Sequence, residues 1–259
     1  MLGKLLKYEL GATARIFLPL YGALVLVSFA NALLLKLNYD AATIVGFLVL
    51  FGLLVAMAVT TIVILIQRFY SNLLGSEGYL MFTLPLGVGN LVASKLIASL
   101  LWIFCGGLTA GLSGVILLSS SYFKNAQNGQ YMDFFRAIYG MFEELFGVRP
   151  GAGLIALFCS CCVLAAVALV LTIYASLSVG QLPVFNKFRT AASFIAFFAI
   201  NALFNSVGSP IFDRLMFRSQ MEYGTLLTVL WIWLALSAVR TTAMYLVTYF
   251  ILKRRLNLE

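Results

Sequence analysis

The residues of this chain that carry chemistry are few and scattered. Glu143 and Glu144 are adjacent carboxylates, a pair that could trade a proton as general acid and base, but neighbours on a helix point about 100° apart and do not converge on one reacting atom. They read as a solvated face. The thiols are Cys105, Cys159, Cys161 and Cys162; with no histidine in the chain and no second pair at ligand spacing, they read as small packing residues and not as metal ligands. No Gly-x-x-x-x-Gly-Lys-Ser/Thr phosphate loop occurs, so the chain is not expected to hydrolyse ATP by itself. No catalytic residue and no resident cofactor is expected. What remains are polar groups set in apolar runs: Asn201 and Asn205, one turn apart on one face, and Arg240. Amide side chains in such a run either bond a neighbouring helix or line a path for a solute. An unpaired arginine there costs at least about 2.5 kcal/mol. Arg240 must therefore face a polar cavity, a carbonyl or a partner subunit, or reach outward.

The runs that hold these residues identify the solvent. Of 259 residues, 63% are hydrophobic and only 10% charged, a balance that a soluble domain does not reach. Six apolar runs of about 20 residues match a hydrocarbon core roughly 30 Å thick. They cover residues 16–35, 42–66, 91–118, 151–177, 190–207 and 225–252. The first follows a basic segment that lacks a small-residue cleavage site, so no cleaved leader is expected. The formal net charge of +8 does not point to nucleic acid, because the basic residues border the runs instead of forming a patch with stacking aromatics.

Counting charge loop by loop sets the orientation. Lys4, Lys7, Arg15, Arg68, Lys95, Lys187, Arg189, Lys253, Arg254 and Arg255 fall on one side, opposed only by Glu9, Glu77 and Glu259. On the other side, Lys36, Lys124, Arg136, Arg149, Arg214 and Arg218 are balanced by Asp40, Asp133, Glu143, Glu144, Asp213 and Glu222. Both termini and residues 67–95 are therefore expected in the cytoplasm. Residues 1–15 read as an amphipathic helix along the inner leaflet, with Leu2, Leu5, Leu6 and Leu10 opposite Lys4, Lys7 and Arg15. Glu9 falls within the apolar face and either pairs with Arg68 or tilts out to the headgroups. Pro19 is expected in the first turn of the first span, where its missing donor costs little. Asn90 is a plausible cap for the third span. Gly107 and Gly111 mark a close-packing face, within the subunit or between subunits. Residues 119–150 form the longest outer loop, with an amphipathic stretch over 131–146. The whole chain, 1–259, is read as one transmembrane domain.

Residues 67–95 hold the most particular stretch. Ser76 can cap a short helix, Glu77 sits where a helix N-terminus favours negative charge, and Pro85 limits how far that helix runs. Tyr79, Leu80, Met81 and Phe82 then make a compact apolar knob. Outside the bilayer such a knob either docks on another surface or folds back onto the headgroups.

The run Glu77-Gly78-Tyr79-Leu80-Met81-Phe82-Thr83-Leu84-Pro85, followed by Ser94-Lys95-Leu96, closely resembles the inner loop of permease subunits of bacterial ATP-binding-cassette exporters of the ABC-2 type. The resemblance extends to Lys7-Tyr8-Glu9-Leu10 and to Leu252-Lys253-Arg254-Arg255-Leu256-Asn257-Leu258-Glu259; between these landmarks only the hydropathy layout matches. Gly87-Val88-Gly89 departs from the polar or basic residues common after that proline, which implies a looser exit. The resemblance implies an all-α integral membrane fold: six spans, an N-terminal elbow helix at 1–15, a coupling helix between spans 2 and 3, and a re-entrant outer hairpin over 208–224 before span 6. In such a permease Glu77, Tyr79, Leu80, Met81, Phe82 and Pro85 engage a separate cytoplasmic ATPase subunit, which holds the ATP and Mg2+. The elbow with Glu9 and Arg68 lies beside it. A second permease, identical or a sister chain, completes the path, to which Asn201, Asn205 and Arg240 are candidate contributors. The location implied is the bacterial cell membrane. The cargo implied is an amphipathic peptide antibiotic, a drug or a lipid-like molecule.

Two other classes stand beside this one. A transporter driven by an ion gradient usually carries carboxylates or histidines within its spans, and these spans hold none. The other is a membrane enzyme or a nontransporting scaffold; an enzyme would need converging nucleophiles, acids or metal ligands at the membrane surface, and the sequence offers no such constellation.

Overall fold

In hydrocarbon every backbone N–H and C=O must find its partner within the segment, and a helix does this residue by residue. The computed structural model is accordingly helical. It describes residues 2–37, 39–74, 87–125, 140, 143, 151–185, 187–218 and 223–254. The helices are α1 (Leu2–Lys36), α2 (Asp40–Phe69), α3 (Val88–Asn125), α4 (Ala152–Gly180), α5 (Arg189–Arg218) and α6 (Tyr223–Arg254). A π-helical turn, Tyr70–Leu74, follows α2, and a 3-10 turn, Pro183–Phe185, lies between α4 and α5. Among the described residues six helices are long and apolar enough to cross a membrane, the shortest such stretch being the 22 residues Arg189–Pro210.

Element boundaries differ from the sequence reading in three places. The segment 2–15 is not a separate helix, because α1 runs unbroken for 35 residues through the boundary expected at residue 15. Pro19 therefore lies in a helix interior and leaves the Arg15 carbonyl without its usual donor. The segment after residue 207 continues α5 to Arg218 with Pro210 inside it, in place of a re-entrant element beginning at Gly208. Finally, α3 begins at Val88, with the Gly87 carbonyl accepting from the Asn90 amide at 2.9 Å, so Asn90 lies in the first turn and is not its cap. In water an interior proline ends a helix; in a membrane, neighbouring groups take up the freed carbonyl and the helix goes on.

Side-chain burial differs from that of a soluble bundle in that the outside is apolar as well as the core. Along α1 the buried stripe is Glu9, Thr13, Phe17, Tyr21, Leu24, Ser28 and Asn31, at helical spacing and half polar. Large apolar side chains such as Leu26, Phe51, Phe198 and Val239 are exposed. Serines and threonines satisfy themselves by donating to the carbonyl three or four residues back, as Ser28 does to Leu24 at 2.8 Å and Thr248 to Met244 at 2.8 Å.

The chain divides into two compact units, Met1–Ile64 with Ala98–Gly140, and Leu65–Ile97 with Met141–Glu259. The core of the first joins Phe17 and Tyr21 of α1 to Met57 and Ile64 of α2, with Trp102 and Cys105 of α3 packed against them. Trp102 stacks on Phe17 with ring centroids 4.6 Å apart and donates its indole N–H to Thr13 Oγ1 at 2.7 Å. Thr13 passes the bond on to the Glu9 carbonyl at 2.7 Å, and the Tyr21 hydroxyl donates to the Trp102 carbonyl at 2.9 Å. In the second unit α4 packs against both α5 and α6, and α5 also meets α6. Nearly every residue of α4 from Val170 to Ser178 is buried, which makes it the axis of that unit.

Within the chain the close approaches fall at other glycines than Gly107 and Gly111. Gly107 and Gly111 face open space. Gly106 instead lies against Tyr21 and Met57, and Gly46 so closely faces Asn31 that a Cβ there would overlap its amide. Asn31 is buried, and neither amide atom has a hydrogen-bond partner. Gly46→Ala is expected to lower the unfolding temperature in detergent, at a cost of about 1–3 kcal/mol for overpacking. Adding Asn31→Ala recovers most of the loss, while Gly107→Ala and Gly111→Ala leave the midpoint of the isolated chain where it was.

Candidate functional site

A charge in the middle of a span needs partners, and α6 presents Arg240 on the same helical face as buried Ser237 and Met244. Thirteen residues separate it from Lys253, about 20 Å along a continuous helix. Its guanidinium is met by neutral groups from two other helices. Nε and Nη2 donate to Thr172 Oγ1 of α4 at 3.2 and 3.0 Å, and Nη2 also donates to Asn201 Oδ1 of α5 at 2.8 Å. Asn201 turns its Nδ2 to the Phe197 carbonyl at 2.8 Å, which fixes its oxygen toward the arginine. The Phe204 ring lies under the cation, 5.3 Å from Cζ to the centroid. Thr172 is wholly buried and itself donates to the Ala168 carbonyl at 2.6 Å.

Arg240 forms one wall of a cavity of about 440 Å³ between α4, α5 and α6. Polar groups in its lining are Asn201, Asn205, Ser209, Ser237 and Arg240; Phe204, Trp233, Leu169, Leu236 and Ile232 are its large apolar side chains. The structure thus brings Arg240 and Asn201 into one hydrogen-bonded cluster. Asn205 lines the same cavity, exposed, and makes no hydrogen bond to the cluster. Thr172 is the member that sequence reasoning missed. The only available signal was a hydroxyl in an otherwise apolar stretch, which is common, since such hydroxyls usually bond their own helix.

The other candidate residues lie on and around the stretch 67–95. Glu77, Tyr79, Leu80, Met81, Phe82 and Pro85 are outside the described residues, and so is the short helix expected there. Both flanks are described, and both are fastened within the second unit. On the α2 side, Phe69 is fully buried and stacks on Tyr174 of α4 with centroids 4.0 Å apart and planes 11° apart. The π-helical turn that follows buries Leu73 and Leu74. On the α3 side, a Cβ on Gly89 would come 3.2 Å from the Tyr245 hydroxyl of α6. The glycine expected to loosen this exit is instead a place where a tyrosine approaches the backbone. Tyr245 stacks in turn on Tyr249, whose hydroxyl accepts from Lys253 Nζ at 3.3 Å.

Glu9 and Arg68 belong to different units; Glu9 is buried on its helix and Arg68 is half-buried at the end of α2. Cys161 is buried and its thiol lies 3.7 Å from the Leu230 carbonyl, a packing role, while Cys159 and Cys162 are exposed. Glu143 is exposed, and Glu144 lies outside the described residues. No family model, curated protein or solved structure matches this chain.

The cluster geometry predicts strong coupling among its members. Thr172→Val keeps the shape of the side chain and removes the acceptor of two guanidinium bonds, an expected loss of about 1–3 kcal/mol in stability. A double-mutant cycle of Asn201→Ala with Arg240→Gln is expected to show about 0.5–3 kcal/mol of interaction by thermal unfolding in detergent, whereas Asn205→Ala with Arg240→Gln is additive.

Proposed function

We propose that this chain is the membrane-spanning permease subunit of an ATP-driven exporter of the ABC-2 type, working with separate cytoplasmic ATPase subunits and a second permease. The observation that carries this reading is the run from Glu77 to Pro85, set between two helices that are long and apolar enough to cross a membrane. The attachment of both flanks of that run to α4 and α6 supports it, because a push delivered there reaches the helices that line the Arg240 cavity. In this reading the chain lies in the bacterial cell membrane with both termini inside, and the loop 67–90 carries the coupling helix.

Each part then has a physical task. ATP binding draws two ATPase subunits together, and since a conformational change requires a difference in binding free energy between two states, the nucleotide supplies that difference at their interface. Tyr79, Leu80, Met81 and Phe82 seat in a groove of the ATPase and Glu77 fixes their approach. Stacked aromatics such as Phe69 on Tyr174 carry the displacement as a packed contact. The path between the two permeases changes from inward-open to outward-open.

Purification of the tagged full chain from its native membrane is expected to bring down an ATPase subunit with Mg-ATP hydrolysis. Glu77→Arg, or Tyr79→Asp with Phe82→Asp, is expected to reduce that recovery by about tenfold or more while membrane levels of the chain stay normal. Impermeant labelling of a cysteine placed at Ser76 only from the outer side, or transport by the chain alone in liposomes, would overturn the proposal.

A further inference from the structure

The cation at position 240 is held, but its charge is not matched. Its partners among the described residues are a hydroxyl, an amide oxygen and an aromatic face, and none of them is a carboxylate. A guanidinium has five N–H donors in a fixed fork. Nε and Nη2 are spent on Thr172 and Asn201, and the two on Nη1 have no partner among the described residues. Bonds from two helices and the Phe204 ring hold the fork in place, so a ligand would meet it already oriented. The arginine lines a cavity of about 440 Å³, a size typical of small-molecule sites, whose remaining surface is mostly apolar and includes Phe204 and Trp233.

We propose that the cavity between α4, α5 and α6 binds an amphiphile with a single carboxylate or phosphate head, the head on Arg240 and the apolar body against Trp233, Phe204 and Leu236. A cation surrounded by neutral dipoles in a low-dielectric span is stabilised most by an anion, and the unspent donors select one with oxygen acceptors. A neutral amphiphile gains the apolar contacts alone. A cationic one meets repulsion from the arginine. As a binding site this stands by itself; as the cargo class of an exporter it rests on the reading proposed above. Carboxylate and phosphate heads occur both on membrane lipids and on soluble amphiphiles, and the experiment separates the two.

The test uses the full chain, without any ATPase, in a neutral detergent. Bromine quenches tryptophan on contact, and Trp233 lines the cavity. Titration with a brominated long-chain carboxylate is expected to quench at a concentration about ten- to a hundredfold below that of the brominated alcohol of equal length, the worth of one hydrogen bond to a charged group. Trp233→Phe removes the saturable quenching. Arg240→Gln removes the preference for the acid, and Arg240→Lys, which keeps the charge, retains most of it. Ala165→Phe, which narrows the cavity and leaves the arginine in place, weakens binding of the acid. In vesicles, stronger quenching by a brominated anionic phospholipid than by a zwitterionic one assigns the head to a membrane lipid; preference for the free acid alone assigns a soluble amphiphile. Equal quenching by acid and alcohol in the folded wild-type chain overturns the proposal, as does an acid preference that survives Arg240→Gln. Loss of the ATPase partner in the purification above leaves this binding result unaffected, so failure of either idea is visible separately.

Discussion

Hydrocarbon cannot accept a hydrogen bond, and most of this structure follows from that. Backbone groups close on themselves in long helices, hydroxyls fold back onto the preceding turn, and polar side chains gather where helices face one another. The buried stripe of α1 mixes Glu9, Thr13, Ser28 and Asn31 with Phe17, Tyr21 and Leu24, more polar than the core face of a soluble helix. Here large apolar side chains face outward, and polar residues join the apolar ones in holding the contacts between helices. The Trp102–Thr13–Glu9 relay and the Arg240 cluster are two instances of one rule, the first closed on a backbone carbonyl and the second open to a cavity.

That rule also accounts for what could be read from the residues alone. Long apolar runs between basic flanks are a strong signal, and the six membrane-capable helices lie where those runs lie. Their ends were legible only in part. Pro19 and Pro210 carry their usual meaning of a start or a stop in water, and α1 and α5 pass through both. Near the start of α1, Leu5, Leu6 and Leu10 are half-buried, while Glu9, which the spacing placed within the apolar face, is buried on one stripe with Thr13 and Phe17. Spacing picked Gly107 and Gly111 because small residues four apart form a recognisable pattern. The tightest fits are at Gly46, against Asn31, and at Gly180, against Ser193 and the Arg189 carbonyl, single positions whose need for glycine comes from residues on another helix.

The candidate site shows the same division. Arg240 and Asn201 were visible as polar residues in apolar surroundings, since cost marks them out in any register. Their meeting with each other was not visible, because it depends on how α4, α5 and α6 pack, and one chain's sequence does not encode that pairing in any local pattern. Thr172, at the centre of the cluster, had nothing to set it apart from the many hydroxyls, such as those of Ser28 and Thr248, that merely bond their own helices. The stack of Phe69 on Tyr174 and the fit of Gly89 beneath Tyr245 likewise join residues far apart in the chain.

The π-helical turn Tyr70–Leu74 has a geometric consequence of its own. Such a turn holds one residue more than an α-helical turn, so tightening it to the ordinary form would swing everything downstream by about 100° and advance it by about 1.5 Å. No hydrogen bond need be lost in the exchange, only its partner shifted by one. The extra residue in this turn thus sets the angular phase at which the chain leaves the buried leucines at the end of α2.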